Sequence, residues 1–542
     1  SWTRRSFDAQ NTGNAGADDG LTPESVKDLT VTKLLQLQNY INATPIVVDG
    51  LLVTGDWAGF LYVIDPVTTK RLVKLATGGL TAPPPTGLRS ELGTYRGVQS
   101  TPLIASVSVP DGGGGFVDQK RIYVGVNSAD KTLYCLDLDA IARDHALDLL
   151  NNTDGAPYVC DDPPGVWPRS LAADGPTGNG TFNGSMIFAK GHLVKDTSGS
   201  TKIRDVLYTP TTGLDCANGQ FWALDAYSGE LLWSFDPVVN GNGKGGTIWT
   251  TPAMSRDGSL VYISTGDCVG QPQIGEKAES LVALDAVTGD VVWFHQRRLI
   301  DTADLDIGTG PVVADVDGQD GESGCHVVVS SDKDGCFYAY PQERDVPLIE
   351  DVGFDPLKLG QQRLLWRQCF VPGTLNGGFN SSNPALHGRT VVQQFSGYPG
   401  GHVGADDANA SALDVCDGRV AWTSAAERAS GLRSGRTRCL ATTNPASCYP
   451  LGMDRRAEAI RLARTYVWWQ GPSMTLADPR RLLCQILRLG RPEDYVTAEI
   501  LWGENALRQA LVEARRGEID AKSEHFWRLR FGLADGGRRD GR

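Results

Sequence analysis

The sequence predicts an all-β propeller of about seven to eight four-stranded blades, followed by a small all-α domain. Two observations predict the propeller. Strands with period-two alternation recur along residues 1–422, and the recurring units carry an acidic turn and a tryptophan. A third observation predicts the helical domain, because apolar residues beyond Met453 follow helical spacing.

The repeat is clearest where Ala-Leu-Asp is followed by a Gly-containing turn and a strand that ends in Trp. Clear copies are residues 223–233, 283–293 and 412–422, and weaker copies centre on Asp65, Asp137 and Tyr340. Such units cannot bury an apolar face alone, whereas radial stacking buries it between neighbours. We therefore expect the recurring Trp to pack between blades and the Asp to bond turn amides. Since the pattern stops after Trp422, completeness of the ring is left open.

Four regions are predicted. Residues 1–423 form the propeller, 424–452 a linker, 453–533 a helical domain of about four or five short helices, and 534–542 a disordered tail. Asp478-Pro479 has the sequence of an N-cap followed by the first helical residue. Two apolar stripes are predicted to be buried: Leu482, Ile486 and Leu489 in the first, and Leu507, Ala510, Leu511 and Ala514 in the second.

Composition restricts the partners and the compartment. The net charge of −13 makes nucleic acid or an anionic membrane a poor partner, and no stretch approaches a membrane span. Eleven scattered cysteines without CxxC or CxxCH argue against a zinc cluster and an attached c-type haem. Together with N-x-S/T sequons they predict a periplasmic or secreted protein, although no signal peptide is visible. The sequons begin at Asn42, Asn151, Asn179, Asn183, Asn380 and Asn409.

Four blocks, in order, carry a resemblance to a known family. They are residues 42–65 (NATPIVVDGLLVTGDWAGFLYVID), 246–267 (GTIWTTP to STGD), 304–311 (DLDIGTGP) and 331–335 (SDKDG). These blocks resemble the propellers of pyrroloquinoline-quinone (PQQ) alcohol dehydrogenases, most closely the polyvinyl-alcohol dehydrogenase branch. The resemblance covers residues 1–422. The C-terminal segment only faintly resembles small helical bacterial proteins encoded beside nucleotidyltransferase-like toxins, which would make it a joined segment or an interaction module.

The resemblance implies a cofactor pocket for PQQ. Trp249 matches the tryptophan that stacks on the planar quinone, a natural use of an indole ring. Lys333 matches the cation that holds the quinone oxygens, and Arg96 matches an arginine near the carboxylates of the cofactor. A cation beside a tricarboxylate is electrostatically favourable.

The resemblance also implies a calcium ion and a catalytic base. Asp304 matches the base that accepts the hydroxyl proton of the alcohol, and Asp306 matches a second metal carboxylate in some members. The metal ligands implied are Asp267, Asp215, Asp304 and Asp306. Hydride then passes to PQQ while calcium acts as a Lewis acid. A separate electron acceptor is implied, since no haem motif is present.

The chain departs from the family pattern in three places. Asp267 stands where the family has an Asn, Phe379 stands where a Trp is expected, and no two cysteines are adjacent. A second metal candidate is the acidic loop 315–322, whose alternating Asp and Gly residues resemble calcium loops, with a solvated turn as the equal alternative.

Three functions remain open from the sequence. The first is a PQQ- and calcium-dependent dehydrogenase that oxidises a small secondary alcohol or a polymeric, polyvinyl-alcohol-like substrate. The second is a non-catalytic PQQ-like propeller that serves as a binding or assembly scaffold. The third is an inactive chimera whose helical tail binds a partner. The enzyme hypothesis depends on the pocket Asp, Lys and Trp residues lying together.

Overall fold

The computed structural model of the chain describes most of the repeat region and much of the C-terminal segment. The described residues are 3–14, 30–31, 33–77, 97–127, 131–171, 180–213, 219–238, 245–266, 277–297, 305–318, 323–333, 335–342, 364–369, 383–396, 408–425, 455–467, 469–490, 494–495, 498, 501–502, 504–515 and 517–530. The chain forms two compact units, Ser1–Ala429 and Ser430–Arg542. The four predicted domain boundaries stay predictions.

Six antiparallel sheets follow one another in the described part of the first unit. Sheet 1 has strands Ile46–Val48, Leu51–Gly55, Phe60–Asp65 and Lys70–Ala76, with Thr153–Asp154 added in parallel at its edge. Sheet 2 has strands Leu103–Pro110, Phe116–Val126, Thr132–Asp137 and Arg169–Ser170. Sheet 3 has strands Gly180–Thr181, Ile187–Lys195, Thr201–Gly213, Gln220–Asp225 and Leu231–Phe235.

The remaining three sheets have four strands each, in chain order. Sheet 4 has strands Ala253–Met254, Leu260–Ser264, Ser280–Asp285 and Val291–Gln296. Sheet 5 has strands Val312–Val316, Cys325–Ser331, Cys336–Pro341 and Trp366–Cys369. Sheet 6 has strands Ala385–His387, Thr390–Ser396, Ala408–Asp414 and Val420–Ala425. These sheets agree with the predicted repeat, and the total of about seven to eight blades stays a prediction.

The central strands are buried on both faces. Every residue of Leu260–Ser264 and of Gln220–Asp225 is buried. An isolated antiparallel sheet that faced water would alternate buried and exposed residues. Burial of both faces therefore follows from a neighbouring sheet on each side, as the repeat predicted.

The N-terminal segment 3–12 connects the first strands of four different sheets. Its carbonyl groups accept hydrogen bonds of 2.7–2.9 Å from backbone amides in sheets 2, 4, 5 and 6. The donors are Ile104, Met254, Val313 and Leu386. Asn11 is fully buried, and its side-chain amide donates to the carbonyls of Thr251, Pro252 and Pro311. The first strands of these sheets thus face a common segment, which is the arrangement expected of blades around an axis.

In sheets 3, 4 and 6, the repeated aspartate and tryptophan lie at the same end of the sheet. We call this end of the sheets the turn end; in these sheets it holds the turn before the last strand. Asp285 Oδ1 accepts from the amides of Val287 and Thr288 at 2.8 and 3.0 Å. Asp65, Asp225 and Asp414 accept equivalent bonds. The predicted role of the Asp is confirmed.

The tryptophans pack against the turn of the next sheet. Trp233 Nε1 of sheet 3 donates to the Ala286 carbonyl of sheet 4 at 3.3 Å, and its ring covers Gly289, where a Cβ would lie 2.6 Å from the indole. Trp366 donates to Val415 of sheet 6 in the same way, at 3.2 Å. The positive φ of Gly289, +77°, adds a second requirement for glycine there. Packing of these tryptophans between blades is therefore confirmed.

Disulfides link the sheets at three places in the described residues. Cys325–Cys416 joins sheet 5 to the turn of sheet 6, Cys336–Cys369 joins two strands of sheet 5, and Cys135–Cys160 ties sheet 2 to a following loop. Closing a loop restricts the unfolded chain, so each bond stabilises the folded unit. Disulfides form and persist mainly in oxidising compartments.

Helix α1, Leu138–Ala146, lies between the third and fourth strands of sheet 2, and Asp137 caps its N terminus by accepting from the Ala140 amide. The second unit contains α2 Arg455–Tyr466, α3 Pro472–Ala477, α4 Arg480–Leu489, α5 Glu504–Val512 and α6 Ala521–Arg530. Within the described residues, no helix has the length and apolar character needed to cross a membrane.

Two details of the helical prediction are wrong. Helix α4 begins at Arg480 with Pro479 at the N-cap, one position earlier than predicted for the proline, because Asp478 still ends α3. Leu489 is 62% exposed, whereas Leu482 and Ile486 are buried. Leu489 is the last residue of the helix, where the stripe has passed beyond the core.

Candidate functional site

The end of the sheets opposite the turn end carries the three predicted site residues that the structure describes, Trp249, Asp306 and Lys333. We call it the rim; here each first strand begins and each second strand ends. Rim segments of neighbouring sheets are joined by hydrogen bonds of 2.7–3.0 Å. They run from Val98 N to Asp56 O, from Phe182 N to Asn127 Oδ1 and from Thr212 Oγ1 to Ile248 O. Within the rim of sheet 4, Gly266 N donates to Thr247 O at 2.7 Å.

Trp249, Asp306 and Lys333 lie together at the rim. Trp249 precedes the first strand of sheet 4, Asp306 precedes that of sheet 5, and Lys333 follows the second strand of sheet 5. Lys333 Nζ is 2.8 Å from Asp306 Oδ2 and 5.5 Å from the Trp249 ring centroid. Lys333 N–H also donates to the Asp306 carbonyl at 3.1 Å. Both charged side chains are largely buried, so their attraction is little screened.

Gly266 allows the approach of sheet 4 to this ion pair. A Cβ at this position would lie 2.5 Å from Asp306 Oδ1 and 2.5 Å from Thr247 Oγ1, so no larger residue fits without a shift. The next residue in the chain is Asp267. The main chain at Gly266 therefore passes directly beside the Asp306 carboxylate.

The other predicted site residues lie outside the described residues. They are Asp304, Asp267, Asp215 and Arg96. Gly97, next to Arg96, has φ +56°, and a Cβ there would lie 2.5 Å from the Asp56 carbonyl oxygen. Its contacts place this point of the chain on the rim between sheets 1 and 2. The roles of all seven predicted residues stay predictions.

The structure contains a buried polar network beside Lys333 that the sequence did not predict. Arg297 and Asp332 form an ion pair in which both side chains are fully buried. Arg297 Nη2 donates to Ser330 Oγ at 2.5 Å, its guanidinium lies 3.8 Å from the Tyr338 ring centroid, and Nε donates to Tyr340 Oη at 3.3 Å. The sequence contains no local pattern for this pair, because Arg297 and Asp332 are 35 positions apart in the chain.

The network ends at a neutral histidine. His295 Nδ1 lies 2.7 Å from Tyr340 Oη, and burial, reinforced by the nearby positive charge of Arg297, lowers the pKa of His295 to about 3. Arg297 Nε can only donate to Tyr340 Oη, so the phenol proton is available for a hydrogen bond to His295 Nδ1.

Buried polar atoms at the rim of sheets 2 and 3 provide a test of fit for PQQ. Asn127 Nδ2, Thr181 Oγ1 and Asn183 Oδ1 are buried without a protein hydrogen-bond partner in the described residues. Such atoms in a native structure require an explanation, for example a bound group. Donors and acceptors there, with the indole of Trp249 and the ammonium of Lys333, suit a planar ligand that carries carboxylates and carbonyls. The residues present fit the cofactor.

Two predicted metal sites are only partly covered by the structure. No group of three or more His, Cys, Asp or Glu side chains that could hold a metal occurs among the described residues. In the acidic loop 315–322, Asp315 Oδ1 is within hydrogen-bond distance of His326 Nδ1 at 2.8 Å and of Gln342 Nε2 at 3.2 Å. Asp315 is thus engaged within sheet 5, which favours the alternative of a turn over a calcium loop.

Comparison with known proteins agrees with the family resemblance predicted from the sequence. Residues 201–350 match the family model described as "PQQ: Glucose/ethanol/alcohol dehydrogenase, beta-propeller domain". The glycerol dehydrogenase large subunit of Gluconobacter oxydans (strain 621H) is 32% identical over 123 residues, which cover 19% of this chain and 17% of that protein. The polyvinylalcohol dehydrogenase of a Pseudomonas species is 25% identical over 246 residues, covering 39% of this chain and 34% of that protein.

A solved structure shares the fold. The crystal structure of the quinohemoprotein alcohol dehydrogenase from Comamonas testosteroni aligns with a TM-score of 0.52 at 16% identity, covering 79% of this chain and 67% of that one. The chain spans about a sixth to a third of the length of the two curated relatives named above. The resemblance predicted from the repeats is confirmed: this chain is similar to the β-propellers of the PQQ dehydrogenases, with polyvinylalcohol dehydrogenase among its relatives.

Proposed function

We propose that the chain is a quinoprotein alcohol dehydrogenase that oxidises a secondary or polyvinyl-alcohol-like alcohol with PQQ and calcium. The observation that carries the proposal is the convergence of Trp249, Asp306 and Lys333, which come from two sheets and meet at the rim. A propeller that served only as a scaffold has no requirement for an indole, a carboxylate and an ammonium at this one place.

The chain's own residues bind and orient the cofactor. The Trp249 ring offers a flat apolar face for stacking. The Lys333 ammonium lies 2.8 Å from Asp306 Oδ2 and is the proposed cation that would hold the quinone oxygens. Arg96 is the proposed partner of the cofactor carboxylates. When bound, PQQ supplies the hydride acceptor and calcium supplies a Lewis acid.

Asp304 is the proposed base that accepts the hydroxyl proton of the alcohol. It lies two residues before Asp306 in the chain, and Asp306 is the carboxylate that pairs with Lys333. Lys333 Nζ pairs with Asp306 Oδ2, and a Cβ at Gly266 would lie 2.5 Å from Asp306 Oδ1. We assign Asp304, Asp306, Asp267 and Asp215 to calcium, because carboxylate oxygens are the ligands that this hard cation prefers.

The electron acceptor, the compartment and the domain organisation are also part of the proposal. A separate electron acceptor would reoxidise the cofactor. Three disulfides favour an oxidising compartment, in agreement with a periplasmic or secreted protein. We retain a propeller of about seven to eight blades and a small helical domain at residues 453–533 as parts of the same proposal.

Reconstitution tests the proposal. The purified chain is incubated with PQQ and CaCl2, desalted, and its quinone absorbance is recorded; dye reduction is then followed with simple secondary alcohols and with polyvinyl alcohol. We expect retained quinone absorbance and alcohol-dependent dye reduction that is lost on chelation of calcium. A desalted protein without quinone absorbance would instead support the non-catalytic scaffold.

A further inference from the structure

We propose that Arg297 is a positioning residue of the site, because its buried ion pair with Asp332 fixes the backbone that presents Lys333 to the cofactor. The inference rests on the proposed function and assigns a task to a residue that lies outside the predicted pocket. Arg297 follows the fourth strand of sheet 4, whereas Asp332 and Lys333 follow the second strand of sheet 5. The pair therefore links two neighbouring sheets directly beside the pocket lysine.

The guanidinium of Arg297 has a single orientation. It is fully buried, pairs with Asp332, donates to Ser330 Oγ and Tyr340 Oη, and lies over the Tyr338 ring. Its backbone N–H also donates to the Glu279 carbonyl at 2.8 Å. A guanidinium carries five N–H donors in a rigid planar fork, whereas an ammonium is a compact charge with three rotatable donors. The position of the Asp332 carboxylate is thereby set from sheet 4.

Asp332 transmits this position to Lys333. The Asp332 amide donates to the Cys336 carbonyl at 3.2 Å, and the Asp332 carbonyl accepts from Gly335 at 3.1 Å, so this residue closes the turn that contains Lys333. Gly335 has φ +80°, a conformation that glycine adopts without strain. Lys333 is consequently held from two sides, by the fixed residue before it and by Asp306 at its amide and its ammonium.

If the Arg297–Asp332 ion pair is only structural, removing it should leave cofactor affinity and rate unchanged. If it positions Lys333, both should fall. Buried ion pairs contribute little net stability, and replacing both charges by neutral residues of similar volume is often neutral. The double variant Arg297→Met/Asp332→Asn should therefore fold, while the turn that carries Lys333 loses its anchor. Since a displacement of about 1 Å can cost 100-fold in rate, the effect is expected in cofactor affinity and kcat.

The experiment measures PQQ affinity by tryptophan fluorescence quenching in the presence of CaCl2, together with kcat and KM for the alcohol. For Arg297→Met/Asp332→Asn we expect PQQ affinity and kcat to fall by about 10- to 100-fold while KM stays within about twofold. The matched control is Arg389→Met/Asp414→Asn, which removes an ion pair at the turn end of sheet 6. It should leave PQQ affinity and kcat unchanged.

The outcomes are distinguishable. If the unmodified protein retains no quinone, the proposed function fails and this inference fails with it. If the unmodified protein binds PQQ and the Arg297→Met/Asp332→Asn variant matches it in affinity and kcat, only the positioning role is overturned. Should that variant not fold, Arg297→Lys is measured instead. Lysine keeps the positive charge but lacks the planar guanidinium, so we expect smaller losses of PQQ affinity and kcat. Unchanged PQQ affinity and kcat in this variant would overturn the inference.

Discussion

The turn end and the rim differ in whether the same residue types recur from sheet to sheet. At the turn end, one aspartate in each clear copy accepts hydrogen bonds from the amides of its turn, and tryptophans pack on the turn of the next sheet. At the rim, the residues that follow the second strand differ between sheets: Asp56-Trp57 in sheet 1, Asn127 in sheet 2, Thr265-Gly266 in sheet 4 and Asp332-Lys333 in sheet 5. A position that does the same job in every blade is structural, whereas positions that differ between blades are available for function.

The largest expected effect is at the rim ion pair. Lys333→Met leaves the buried Asp306 carboxylate without its lysine, which should lower the free energy of unfolding by about 3–5 kcal/mol and abolish PQQ binding. Lys333→Met/Asp306→Asn should recover most of the stability but no PQQ binding. Urea unfolding and retained quinone absorbance measure the two quantities. Lys202→Met, which removes an exposed ion pair with Asp196, is the control.

The second prediction compares a tryptophan at the turn end with a tryptophan at the rim. Trp233→Ala removes a buried ring that packs on the next sheet, so it should cost about 3–5 kcal/mol of unfolding free energy with little change in PQQ affinity. Trp249→Ala removes a half-buried rim ring and should cost about 1 kcal/mol of stability but weaken PQQ binding about tenfold. Equal losses of stability for both variants would end the distinction between the two ends.

The third prediction concerns pH. The pKa of His295 in the folded protein, about 3, lies below its ordinary value of 6.5 because the ring is buried beside Arg297. The unfolded chain therefore binds a proton that the folded chain does not, and stability present above pH 6.5 is lost as the pH falls towards 3. The contribution is about 1.4 kcal/mol for each pH unit in that window.

Urea midpoints between pH 7 and pH 4.5 check this prediction. His295→Gln keeps an acceptor for Tyr340 and has no titrating group, so its stability should fall less steeply over the same range. Identical slopes for the two proteins would show that His295 carries no part of the pH dependence. Carboxylates that are stabilised in the folded state act with the same sign, and the variant leaves their contribution in place.

The smallest effect is expected at a single turn. Asp285→Ala removes two hydrogen bonds, to the amides of Val287 and Thr288, and should cost about 1–2 kcal/mol of unfolding free energy. PQQ affinity should be unchanged, because this turn lies at the end of sheet 4 away from the rim. Thermal unfolding followed by circular dichroism measures the loss, and a fall in PQQ affinity would contradict the separation of the two ends.

The repeat was predictable because its determinants are local. An Asp two or three residues before a turn amide, a Gly with positive φ and a Trp at the end of the next strand recur at fixed spacing, so three copies predict the role of each. The order of four blocks also placed Trp249, Asp306 and Lys333 in one site. The start of α4 and the exposure of Leu489 were predicted wrongly, because helix ends depend on the neighbouring segments.

By itself, the amino-acid sequence determined the blade repeat, the turn chemistry and three rim residues that the structure brings together. Only the tertiary structure decided that Arg297 of one sheet pairs with Asp332 of the next, and that segment 3–12 joins the first strands of four sheets. The physical reason is range: turns and strand periods are encoded within about ten residues, whereas a buried ion pair between sheets depends on which surfaces the packed blades bring into contact.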